Sequence, residues 1–441
     1  MDELLKRSQA LKLALTDFVY DAEGELATAL ESFVADHLAK SQAKDRKHRD
    51  LAVDTFLGQG HVGDQTPLQC FVESEAGLSE RDRTLVLGWS RNFAGLFLIQ
   101  QVLPDGFKVM NWLTTKTYIA KPIDEATLDT MMKLTPGEIL LTRLAALDDE
   151  QWIFFSPYVQ LGKLGKPKLA VAIGNFKQNY RSELYGDAPE LLEEAWKSVE
   201  RYHQDFLDFF ETEELTLPGY QLSKKIPEFQ DFLTQRRLDE AGVDRDKSMA
   251  ELAQEAGVSD EEIAEMAEAM GMDAETAAKM MTDKAAAKMV TPQIELPPDL
   301  KKAEQVTILA HPRWGQMLLP NHNQFIDLLQ AENWTAIAGA DKLLRNYLER
   351  PEINTFVWKR LAKDYPTQLQ AVLREFLQQP DFDLAQDLPD LLRSHQKPLE
   401  PELPEIASVP LHLHNLFQEA LAEVSKSKAK EKKKSVKGFQ R

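Results

Sequence analysis

Gly95-Leu96-Phe97-Leu98-Ile99-Gln100-Gln101-Val102, then Pro104-Asp105-Gly106, then Phe107-Lys108-Val109-Met110-Asn111-Trp112-Leu113 reads as strand, turn, strand. Pro104 fixes φ and Gly106 tolerates a left-handed backbone, so the apolar runs on either side are folded back on each other. Thr117 to Ala120 continues the pattern. A helical insert (Asp124 to Leu134) and the Pro136-Gly137 turn follow, then Ile139 to Leu147 and Trp152 to Val159. About five short strands within some seventy residues predict a small closed barrel or a strongly bent sheet.

Outward from this stretch the periodicity is helical. Towards the N-terminus, Phe18, Ala22, Leu26, Leu30, Phe33 and Leu38 recur at three- to five-residue spacing and predict one helical face. A short helix ends near Leu57, and the next starts at Thr66-Pro67-Leu68-Gln69, where threonine, proline and glutamine fit a capping box. A further helix begins after Ser79. Beyond the strands, Leu191, Leu192, Ala195, Trp196, Val199, Tyr202, Phe206 and Phe210 line a helix from Ala188 to Phe210. Pro218-Gly219 ends it, and a shorter helix runs through Phe229, Phe232 and Leu233. One or two strands flank His311-Pro312-Arg313-Trp314-Gly315, and the chain is then helical to about Val424, broken at Pro351, Pro366, Pro380, Pro389 and Pro398.

The expected fold class is therefore α+β: mainly helical, with an embedded small β-barrel-like unit of the SH3 or OB kind and a C-terminal helical region. The expected parts are an N-terminal helical region (1–92), the barrel-like unit (93–177), a helical region (178–238), an acidic methionine-rich helical hairpin (239–291), a C-terminal mainly helical domain (292–424) and a disordered basic tail (425–441).

Charge is unevenly distributed over the 441 residues. The chain carries −19 net, with 71 acidic against 52 basic side chains, so its average surface repels nucleic acid and anionic lipid. Asp239 to Glu275 holds 13 acids against Arg245 and Lys247, and seven of the 12 methionines fall between Met249 and Met289. From Ser425 onward, eight basic residues face Glu431 alone, a net +7. Between Arg91 and Lys177, ten basic residues outnumber eight acids, and Trp112, Tyr118, Trp152, Phe154, Phe155 and Tyr158 are interspersed. The single cysteine, Cys70, forbids an internal disulfide and lies on an apolar helical stretch as a small hydrophobe. The acidic N-terminus and the absence of a long apolar run predict a cytoplasmic protein without a transmembrane segment, compatible with peripheral membrane contact.

Five motifs bear on function. Gly58-Gln59-Gly60-His61-Val62-Gly63 fits G-x-G-x-x-G literally, but a helix precedes it and none opens directly after it, so it reads as a turn between helices. Leu252 to Glu268 has helix-turn-helix spacing, yet its second helix presents five carboxylates and no base-reading side chain, so a hairpin is expected and DNA reading is not. Ile263, Met266 and Met270 with Met280 and Met281 form a stripe that serves either as the core of a tiny helical unit or as a flexible docking groove. His311, Arg313, Trp314 and His322 are the best candidates for a polar pocket, against the plainer reading of a turn held by side-chain hydrogen bonds. His412 and His414 fall at a helix start, where residues two apart face different ways. No cofactor, metal set or catalytic constellation is expected.

Phe56-Leu57-Gly58-Gln59-Gly60-His61-Val62-Gly63-Asp64-Gln65-Thr66-Pro67 and Gly88-Trp89-Ser90-Arg91-Asn92-Phe93-Ala94-Gly95-Leu96-Phe97 resemble uncharacterised proteins of cyanobacterial type. The resemblance covers under a fifth of the chain, implies a photosynthetic cell and carries over no site residue. The expected function is a non-enzymatic accessory or assembly factor. Its partner would be another protein with a basic or amphipathic helix, met by the methionine-rich hairpin and the C-terminal helices. The alternatives are a binder of RNA or single strands through Trp112, Tyr118, Lys163, Lys166, Lys168 and the tail, and an enzyme without a recognisable motif.

Overall fold

A computed structural model describes residues 3–40, 46–240, 296–417, 419, 420 and 423. It divides the chain into two units. The first takes Met1–Leu192 with the segment from Val409 on, and the second takes Glu193–Ser408.

In the first unit the strands are β1 (Phe93–Leu103), β2 (Gly106–Asn111), β3 (Thr117–Pro122), β4 (Ile139–Ala146), β5 (Gln151–Phe154) and β6 (Val159–Gly162). Their order is β1-β2-β3-β5-β4, and β4 returns to β1, so five strands close a ring to which β6 adds on β4. All pairings are antiparallel except β3 with β5, where Ile119 lies opposite Gln151 and Pro122 opposite Phe154. A helix between β3 and β4, α6 in chain order (Glu125–Met131), is capped by Asp124, whose Oδ1 accepts the Thr127 N–H at 2.6 Å. A closed five-stranded ring with a helix at this crossover is an OB-type barrel.

The interior is filled by Phe93, Phe97, Phe107, Val109, Tyr118, Leu140, Leu144 and Phe154. The outer face of β4 and β5 is apolar too, because α1 (Glu3–Tyr20), α2 (Glu25–Lys40), α3 (Arg46–Gln59), α4 (Pro67–Ser74) and α5 (Glu80–Gly88) cover it. Leu11, Leu15, Phe56, Leu68, Phe71 and Trp89 from these helices and the turn after α5 pack with Ala145, Ile153 and Phe155. The expected capping box is formed in full: Thr66 accepts the Gln69 N–H, Gln69 accepts the Thr66 N–H, and Pro67 takes the first turn. Ser79 and Asp82 form a second such box at α5. The unit is completed by α7 (Lys166–Asn179), the start of α8 (Pro189–Phe210), and a helix at 411–417 whose Leu413 and Leu416 are buried.

In the second unit β7 (Glu214–Leu217), β8 (Val306–His311) and β9 (Gly315–Pro320) form an antiparallel sheet with β8 central. On one face Val306, Ile308 and Ala310 pack with Tyr202, Phe206, Phe229 and Leu233 of α8 and α9 (Gly219–Glu240). On the other, Leu309, Met317 and Leu319 meet a helical layer through Phe325, Leu344, Tyr347, Trp358 and Leu373. That layer comprises α11 (His322–Gln330), α12 (Ala340–Glu349), α13 (Thr355–Asp364), α14 (Pro366–Leu377) and α15 (Leu384–Ser394), after the short α10 (Pro298–Lys301). Burial on both faces suits the Ile308-Leu309-Ala310 run of β8.

Five expectations are corrected. The single helical face from Phe18 to Leu38 is two helices, separated at residues 21–24. Trp152 to Val159 is not one strand: β5 ends at Phe154, Pro157 intervenes, and β6 pairs separately with β4. The helix after Pro218 is not shorter than the one before it: both span 22 residues, the second with Pro227 inside it. Pro389 lies within α15 and does not break it. Cys70 is half-buried rather than buried, with Sγ 3.6 Å from Gln65 Oε1.

Candidate functional site

The barrel is the element with a binding tradition in its geometry, since OB-type barrels receive ligands on the β2–β3 face and its flanking loops. Alternation decides what this face offers. Phe107 and Val109 of β2, and Tyr118 and Ala120 of β3, point inward, so Lys108, Met110, Thr117, Ile119 and Lys121 point outward. Across the two strands Lys108 stands opposite Ile119 and Met110 opposite Thr117. The outward surface of β2 and β3 is thus aliphatic and lysine-bearing, without an aromatic ring. Lys121 is paired with Asp105 of the β1–β2 turn at 2.7 Å. The β4–β5 turn exposes Asp148, Asp149 and Glu150, whose charge opposes a phosphate backbone.

The rings named for base stacking are occupied within the fold. Tyr118 is buried, with Trp152 and Phe93 at 5.1 and 5.3 Å between ring centroids. Its hydroxyl donates to Asp187 Oδ2 at 2.7 Å, and burial together with the Asp187 charge pushes its pKa far up. Asp187 Oδ2 also accepts from Thr114 Oγ1 at 2.8 Å and Asn111 Nδ2 at 3.1 Å. Lys116 Nζ donates to the Asp187 carbonyl at 2.8 Å and pairs with Glu190 at 2.7 Å. This half-buried knot ties the β2–β3 turn to the start of α8. Trp112 is half-buried, and its carbonyl accepts Nε2–H of His412 at 3.0 Å, which seats the helix at 411–417 on the barrel unit.

Lys166 is paired with Glu419 at 2.9 Å, while Lys163 and Lys168 are exposed. Tyr118 faces the interior, Trp112 meets His412, and Lys166 meets Glu419, so these three side chains or their backbones are engaged within the fold.

In the second unit, His311, Arg313 and Trp314 share the β8–β9 hairpin, but His322 makes its contacts elsewhere. His311 Nδ1 accepts the backbone N–H of Arg313 at 3.0 Å and of Trp314 at 3.2 Å. That is a turn held by a side chain, the plainer of the two readings. Arg313 is exposed and its guanidinium lies 4.0 Å from the ring centroid of Trp196, a cation–π contact. His322 is buried, shares a 3.0 Å hydrogen bond with the Tyr347 hydroxyl through Nδ1, and is pushed down to about 4 by burial and then by the charge of Arg360. It is a neutral core histidine.

Ile263, Met266, Met270, Met280 and Met281 lie outside the described residues, as do the helix-turn-helix stretch and the basic tail. Among the described residues, no three His, Cys, Asp or Glu side chains gather as metal ligands, and no helix is long and apolar enough to cross a membrane. The literal G-x-G-x-x-G stretch is the end of α3 followed by a Val62–Gln65 bridge, a turn between helices.

Two polar groupings were not legible in the sequence. The Asp187 knot joins residues about seventy positions apart, and the buried Arg143 pairs with Glu183 at 2.5 Å. Neither has a local spacing signature. No family model, curated protein or solved structure matches the chain.

Proposed function

We propose that the chain is a non-enzymatic accessory or assembly factor, working in the cytoplasm and binding other proteins. The acidic methionine-rich segment and the C-terminal helices are its contact surfaces. The observation that favours this over single-strand binding is the inward aim of the barrel's rings, which leaves a ring-free, aliphatic and lysine-bearing outer face on β2 and β3 beside an acidic β4–β5 turn. Base stacking requires rings that reach solvent, whereas aliphatic and methionine surfaces suit protein partners. The uneven charge fits the same reading, because carboxylates around a methionine stripe favour a basic partner helix.

The test is a paired substitution in the full chain, Met266→Asp with Met280→Asp. The expected result is loss of the co-purifying protein with an unchanged far-ultraviolet circular dichroism spectrum. A partner that stays bound to the variant would remove the methionine stripe from the account.

A further inference from the structure

We propose that the β8–β9 hairpin contains an acid-sensitive latch, in which the neutral ring of His311 holds the turn that carries Arg313 and releases it on protonation. The turn is a three-residue loop, Pro312 to Trp314, closed by Gly315 in the left-handed region at φ +71° opposite His311. Within it the amides of Arg313 and Trp314 both point at His311 Nδ1. An imidazole nitrogen accepts only while it lacks a proton, so Nδ1 is bare and Nε2 carries the hydrogen. Adding a proton at Nδ1 sets a third donor against the two amides. Both bonds are then lost together.

The surroundings tune the latch towards acid. The His311 ring packs against Phe356 of α13 at 4.4 Å between centroids. The charged groups that reach it are His203 of α8 and Glu213, ahead of β7. Burial and then the charge of His203 lower its pKa below the ordinary histidine value, and Glu213 opposes them. His203 Nε2 lies 3.7 Å from Glu213 Oε1. At neutral pH the hairpin holds the exposed Arg313 guanidinium over Trp196, and release of the turn withdraws that surface.

The experiment is site-resolved amide hydrogen exchange on the full chain at neutral pH and below the titration of His311, corrected for intrinsic exchange. In the wild type, protection of the Arg313 and Trp314 amides should fall about tenfold or more, as for a local opening. The amides of Ile308 and Leu309 in the β8 ladder should keep theirs, which separates the latch from any wider acid effect of His322. His311→Asn supplies an Oδ1 that accepts the same amides and does not titrate, so its hairpin should stay protected at both pH values. Three results would overturn the proposal: a wild-type hairpin that keeps its protection once His311 is protonated, an equal loss across the β8 ladder, or the same loss in His311→Asn. The wild-type comparison needs no variant, so it decides even if His311→Asn folds poorly.

Discussion

Arg143 is the largest charged side chain buried in the barrel unit, and its partners define what it does. Nε donates to Asn92 Oδ1 at 2.6 Å, and Nη1 donates to Thr55 Oγ1 at 3.1 Å and to Glu183 Oε1 at 2.5 Å. Glu183 Oε2 in turn accepts the Ala94 N–H at 2.9 Å, so one ion pair joins β4, α3, β1 and the turn before α8. Removing the guanidinium leaves a buried carboxylate without its counter-charge. Arg143→Met is expected to cost about 3–5 kcal/mol of unfolding free energy, as for other broken buried pairs. The double variant Arg143→Met with Glu183→Gln should recover part of the loss. Urea unfolding followed by tryptophan fluorescence measures both. Equal stabilities for Arg143→Met and the wild type would show that the network contributes nothing to the fold.

At the scale of elements, the contact between α3 and the turn preceding β1 depends on the absence of a side chain at Gly58. A Cβ there would stand 2.0 Å from Asn92 Nδ2, and Asn92 is the group that accepts from Arg143. Gly58→Ala should therefore destabilise by about 1–3 kcal/mol through overpacking. Gly77→Ala, where nothing lies within 4 Å, should change little by the same urea measurement. The glycine that opens a nucleotide-binding pattern on paper serves helix-to-turn packing instead. Local chemistry made the barrel readable: Pro104-Asp105-Gly106 marks the hairpin, and Asp124 opens the helix between β3 and β4. Thr66 caps its helix as the spacing indicates, and the helix expected after Ser79 begins there, closed by a second capping box.

What stayed hidden was set by distant partners. Four half-buried residues form β7 only because β8 lies beside them, with Thr216 Oγ1 2.8 Å from Thr307 Oγ1. Pro389 stays inside α15, where Leu384, Leu388 and Leu392 anchor the apolar face on either side of it. Of the candidate site residues, the hairpin at His311 was readable as a turn. The engagement of Tyr118 with Asp187 was not, because nothing near either residue announces the other.

For the whole molecule, the proposed protein partner rests on net charge and on the packing of the barrel interior. A chain of net charge −19, with an OB-type barrel whose rings are packed inward, is expected to meet proteins rather than bare strands. The basic tail is the part that opposes this expectation, and nuclease treatment separates its contribution from protein contacts. The decisive measurement is mass spectrometry of what co-purifies with the tagged full-length chain from its native cell, with and without nuclease. The account predicts a stoichiometric protein partner that persists after nuclease. Partners that disappear with nuclease, together with a steep salt dependence of binding to single-stranded RNA or DNA, would contradict it.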